Sequence, residues 1–139
     1  MNSTTLRLVM VAAALSALSL AGPCLADEAA GSLPDPATIK ASCSSLKTLS
    51  ICTDYTAEAF KVLGEDFHKS GCTAANGTWA ALPCATEKAV GTCALGNGKY
   101  KRYYNAGNIP YKADGAAKDC TGLYSGKWLG ASKPAAPKR

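Results

Sequence analysis

The chain has 139 residues and a net charge of +5, with seven cysteines but only two phenylalanines and two tryptophans. That length holds one domain or two very small ones, and alanine supplies much of the apolar fraction, so burial alone leaves such a fold marginal. One histidine and the lack of G-x-S-x-G, P-loop, H-E-x-x-H and C-x-x-C motifs leave no signature of hydrolase, nucleotide or thiol-redox chemistry.

Residues 1–26 read as a signal peptide. MNSTTLR carries one cation, Arg7; LVMVAAALSALSLAG is the apolar run; cleavage follows Ala26, with small Cys24 at −3. The run is too modest for a membrane span, so no transmembrane segment is expected in the mature chain. A rival reading makes Cys24 the acylated first residue of a lipoprotein, although Pro23 stands where a small residue belongs. The expected destination is secreted or periplasmic.

Residues 27–42 form a lead-in, where Asp35 caps and Pro36 opens a short helix or turn. LSICTDY is a short strand. TAEAFKVLGEDFHKSG is the strongest helix, capped by Thr56, ended by Gly71, with Phe60, Leu63 and Phe67 as its apolar stripe. His68 falls off that stripe and reads as a solvated residue. ANGTWAALP is a turn and a strand carrying Trp79.

AVGTCALGNGKYKRYYN reads as a hairpin turning at Gly96-Asn97-Gly98. PYKADGAAKDC is a weaker helix ending at Cys120, and SGKWLG a strand with Trp128. Residues 131–139 form a disordered basic tail.

With Cys24 set aside, six cysteines remain, and an even number in a short exported chain reads as a disulfide framework. Their spacing fits no usual zinc pair, and no metal or cofactor is expected. The frame C-x8-C occurs at Cys43–Cys52 and again at Cys84–Cys93, 41 residues on. Each frame is followed by a third cysteine and a Gly-x-Trp phrase, CTAANGTW and CTGLYSGKW. The fold class is therefore α+β: a small disulfide-stapled protein of two pseudo-repeated strand–(hairpin)–helix–strand units, 43–83 and 84–130. If both units fold alike, the expected pairs are Cys52–Cys72 and Cys93–Cys120 within units, and Cys43–Cys84 between them.

Charge divides unevenly. Residues 27–87 carry four lysines against eight acids, net −4; residues 88–139 carry ten cations against two acids, net +8. Opposite-charge halves suggest self-association or a partner. The densest basic-aromatic text is KYKRYYN. Alternation puts Tyr100, Arg102 and Tyr104 on one face, and Lys99, Lys101 and Tyr103 on the other. Lys99, Tyr100, Lys101, Arg102 and Tyr104 are candidates for contacting an anionic polymer of the envelope or a protein partner. The competing reading packs one face into a small core while lysines keep the edge soluble.

The phrases Gly77-Thr78-Trp79, Pro83-Cys84, Gly91-Thr92-Cys93 and Tyr103-Tyr104 resemble those of small exported cysteine-rich bacterial proteins of uncharacterised function. The resemblance spans roughly residues 70–130 and departs at Lys127, where threonine would be expected. It implies export and repetition, and no activity. The expected function is a non-enzymatic binding or structural role at the cell envelope or exterior. The alternative is a secreted effector, toxin or enzyme inhibitor on a disulfide scaffold.

Overall fold

The computed structural model describes residues 32–131; the expected signal peptide, Cys24 and the expected disordered tail from 132 onward lie outside them. The lead-in opens as expected. Asp35 Oδ1 accepts from Ala37 N at 2.9 Å, starting a 3-10 turn over Pro36–Thr38. There follow β1 (Ile39–Ser44), β2 (Ile51–Thr56), α1 (Phe60–Ala74) and β3 (Thr78–Ala80). Then come β4 (Ala89–Gly96), β5 (Lys99–Tyr104), α2 (Ala113–Lys118), a π-helical turn over Asp119–Leu123, and β6 (Lys127–Gly130). The strands make one antiparallel sheet in the order β3-β1-β2-β5-β4-β6. The fold is α+β and disulfide-stapled.

That strand order reads the same from either edge. Each half is a hairpin, a helix, and a strand that returns to pair with the hairpin's first strand. The halves meet along β2 and β5, in a ladder running from Ile51↔Tyr103 to Tyr55↔Lys99 and centred on Thr53↔Lys101. Cys43 lies opposite Thr53 and Trp79; Cys93 lies opposite Lys101 and Trp128. The corresponding residues are thus Cys43 and Cys93, Cys72 and Cys120, Gly77 and Gly126, Trp79 and Trp128, offset by 48–50 positions.

This corrects the expected 41-residue spacing. The two C-x8-C frames are not matching pieces: Tyr100 occupies the place of Cys52, and Cys84 lies in the connector 81–88 between the halves. The hairpin is also present in both halves. Its first strand in the N-terminal half, β1, was concealed in the lead-in because IKASCS is rich in small polar residues rather than β-branched or aromatic ones.

Disulfide pairing follows the corrected register. Cys43–Cys72 and Cys93–Cys120 each fasten a helix to the first strand of its own hairpin. Cys52–Cys84 fastens the connector to the opposite face of the sheet. The expected Cys52–Cys72 and Cys43–Cys84 pairs are therefore replaced, because Cys43 and Cys52 point to opposite faces of their strands. Each helix-to-strand disulfide is roofed by a glycine. Gly77 N and Gly126 N donate to Cys72 O and Cys120 O, both at 2.8 Å. A Cβ on Gly77 would lie 2.7 and 2.8 Å from the two sulfurs, and one on Gly126 would collide with Cys93 Sγ. The Gly-x-Trp phrase is thus a packing requirement: glycine clears the disulfide and tryptophan covers the strand beside it.

The two faces hold different cores. On the helix side Cys93, Tyr103, Ala116 and Cys120 are buried together, with Trp128 and Tyr111 against them. On the other side Cys52, Cys84 and Tyr104 pack under the connector. There Asp54 accepts from Arg102 Nε at 2.7 Å and from Cys84 N at 2.6 Å, with the ion pair fully desolvated at 0% and 3% exposure. Asp54 and Arg102 occupy corresponding places in β2 and β5, so the halves are joined by opposite charges at matched positions.

Helix α1 departs from its expected form. Thr56 does not cap it; its hydroxyl donates to Gly98 O at 3.1 Å. The helix passes Gly71 and ends at Ala74, because Cys72 must face Cys43. Gly64 takes φ 74°, ψ 165°, a conformation that breaks the helical run and favours glycine. Of the expected stripe only Phe60 packs inward, against Tyr55 and Trp79; Leu63 and Phe67 are 54% and 58% exposed.

Candidate functional site

The strand KYKRYY is not a surface ribbon. β5 lies inside the sheet, both of its faces are covered, and residues Lys101–Tyr104 are buried. Arg102 is held by Asp54. Lys101, 7% exposed, places Nζ 3.2 Å from the centroid of the Tyr124 ring, a cation–π contact. The Tyr104 hydroxyl donates to Ala85 O at 2.6 Å, pinning the connector. Of the five candidates, Lys101, Arg102 and Tyr104 are therefore corrected to structural residues. Tyr100 and Lys99 are half-buried. Basic-aromatic composition concealed this because the acidic partner of Arg102 sits 48 residues away in sequence.

Burial raises the pKa of Tyr103, Tyr104 and Tyr55, since ionisation would strand a phenolate away from water. Tyr111 is pushed up to about 12 by burial and by its hydrogen bond to Asp119. The Tyr103 hydroxyl is buried without a hydrogen-bond partner.

His68 is also corrected. It is half-buried, its Nε2 lies 3.0 Å from Ala59 O, and its ring lies 5.1 Å from that of Tyr55 and 5.8 Å from that of Phe60. Trp79 leans on the same cluster, 5.2 Å from Tyr55, as Trp128 leans on Tyr103 at 5.9 Å.

Lys99 has a different setting. It borders a cleft of about 250 Å³ at the junction of the two halves. One side is the 3-10 turn before α1 with the first turn of α1, contributing Glu58, Ala59, Lys61, Val62 and Leu63; His68 of α1 also lines it. The other side is the tip of the β4–β5 hairpin, Asn97 and Lys99. The tip is fixed in place. Thr56 N donates to Gly98 O at 2.9 Å, and a Cβ on Gly98 would run into Thr56 Oγ1 and come within 2.9 Å of Ala59 N. Gly98 has φ 68°, so both its conformation and this close approach require glycine. Beside the cleft, Val62 is 88% exposed. Two cations, one carboxylate and an uncovered apolar lip thus meet in one concavity. The sequence signals for it were Gly64 within a helix and the G-N-G turn; no pattern indicated that the two would adjoin.

Among the described residues no group of three or more His, Cys, Asp or Glu side chains is placed to hold a metal ion. No helix among them is long and apolar enough to cross a membrane. No family model matches the chain, and comparison with curated proteins and with solved structures returned no match.

Proposed function

We propose that the protein is an exported, non-enzymatic binding or structural module of the cell envelope or exterior. The observation that carries this reading is the cleft: a concavity of about 250 Å³ lined in part by Lys61 and Lys99, on a scaffold closed by three disulfides. Disulfides belong to oxidising compartments, which agrees with the signal-peptide reading of residues 1–26 and with the resemblance to small exported cysteine-rich bacterial proteins. The contact surface for an anionic envelope partner is the cleft rather than the whole of β5. We also infer that the halves arose by internal duplication, supported by the matched cysteine, glycine and tryptophan positions at an offset of 48–50 residues.

The test is retention of the oxidised protein, residues 27–139, on immobilised envelope material. Lys61→Glu/Lys99→Glu should abolish retention without lowering thermal stability. Equal retention of the double variant would refute the site. Capture of a soluble enzyme in place of an envelope component would favour the effector or inhibitor reading.

A further inference from the structure

The sheet's pseudo-symmetry supplies a control for the cleft. Each hairpin tip docks on the far end of the other half's second strand: Thr56 N donates to Gly98 O at 2.9 Å, and Tyr104 N donates to Ser50 O at 3.0 Å. At the Ser50 junction the space is filled. Ile109 N donates to Ser50 Oγ at 2.9 Å, and Gly107 packs so closely that a Cβ there would collide with Leu46 O. At the Gly98 junction the chain instead leaves about 250 Å³ open. The same backbone plan is compatible with closure, so the opening is not imposed by the topology.

What surrounds the opening defines a chemistry. Ala59, Val62 and Leu63 give it an apolar side, with Val62 and Leu63 88% and 54% exposed just before the helical break at Gly64. Lys61, Lys99 and Glu58 also line it, two cations against one carboxylate. His68, whose Nε2 is engaged by Ala59 O, lines the cleft with its other ring nitrogen uncommitted to that bond. The volume is below that of sites for drug-sized ligands, which favours a small group over a polymer segment.

We infer that the cleft takes a carboxylate borne on a small apolar group, the anion meeting Lys61 and Lys99 and the apolar part seated on Ala59, Val62 and Leu63. This rests on the reading of the cleft as the contact site. Two sources share that chemistry, a free branched-chain acid and the C-terminus of a peptide ending in an apolar residue.

The experiment is an NMR titration of ¹⁵N-labelled oxidised protein with 4-methylpentanoate and with N-acetyl-alanyl-leucine, each beside its primary amide. Saturable shifts at Ala59, Leu63 and Asn97 are expected with the acids and not with the amides. Lys61→Ala/Lys99→Ala should weaken binding about tenfold while leaving the remaining spectrum unchanged. Tighter binding of the peptide identifies a chain terminus as the source; tighter binding of the free acid identifies a small molecule. No saturable shift up to about 10 mM, equal response to the amides, or undiminished binding by the double variant overturns the inference. Envelope retention without a titration response sinks this inference alone; a response without envelope retention sinks the envelope reading alone.

Discussion

Between Cys72 and Gly77 stand four residues; between Cys120 and Gly126 stand five. Both segments close on the same 2.8 Å bond from the glycine N–H to the cysteine carbonyl. The N-terminal half reaches it with an ordinary helical end, Ala75 N to Gly71 O at 3.1 Å. The C-terminal half absorbs its extra residue as a π-helical turn, Tyr124 N to Asp119 O at 3.3 Å. The disulfide, its roofing glycine and the tryptophan are thus the constant part of each half, and length changes are taken up in the helix. The variable part then differs in use. The π turn is followed by Tyr124, whose ring carries Lys101 Nζ, whereas the N-terminal helix breaks at Gly64 and has a cleft at its start where Val62 is exposed.

The strongest way to break the comparison is at the matched charges. Arg102→Ala leaves Asp54 buried without its cation and should cost about 3–5 kcal/mol in denaturant unfolding. Replacing both residues by leucine should cost less than the single change, because no charge is then stranded.

Next come the two roofing glycines. Gly77→Ala and Gly126→Ala each force a Cβ against disulfide sulfur and should each lose about 1–3 kcal/mol by overpacking. Similar losses would sharpen the correspondence. An unaffected melting midpoint in either variant would break it.

The paired tyrosines offer a smaller contrast. Tyr104→Phe strands Ala85 O and should cost about 1 kcal/mol, whereas Tyr103→Phe removes a buried hydroxyl with no partner and should be neutral or stabilising. Thermal melts of both variants decide this.

Tyrosine ionisation gives the last test. Unfolded tyrosines ionise near pH 10, whereas in the fold Tyr103, Tyr104 and Tyr111 hold their protons to higher pH. Their contribution to stability is therefore complete below about pH 10 and is lost as pH rises through the folded values. Stability should fall steadily above pH 10, and Tyr103→Phe should make the fall shallower. An unchanged slope would contradict the burial of that phenol.

Much of the plan was legible where local chemistry decides it. The Asp35-Pro36 start, the G-N-G hairpin and the strand at Trp128 rest on neighbouring residues or on one short loop, whereas the Cys93–Cys120 pair, 27 residues apart, followed from the assumed likeness of the two units. What escaped reading depends on facing. β1 is made of small residues whose strand character comes from pairing on both sides. Cys52 matched Cys93 by count, yet the two project from opposite faces of the sheet. KYKRYY looked exposed because its acid, Asp54, lies in a strand that only the register brings alongside. The cleft at Lys99 was illegible for the same reason: the segment leading into α1 and the β4–β5 tip meet through long-range contacts, Thr56 N and Oγ1 both donating to Gly98 O and Gly98 packing too close to Ala59 for a Cβ.

The corrected register is the central claim, and disulfide connectivity reports it without any substitution. Peptide mapping of the unreduced protein should recover Cys43–Cys72, Cys52–Cys84 and Cys93–Cys120. Recovery of Cys43–Cys84 together with Cys52–Cys72 would contradict it.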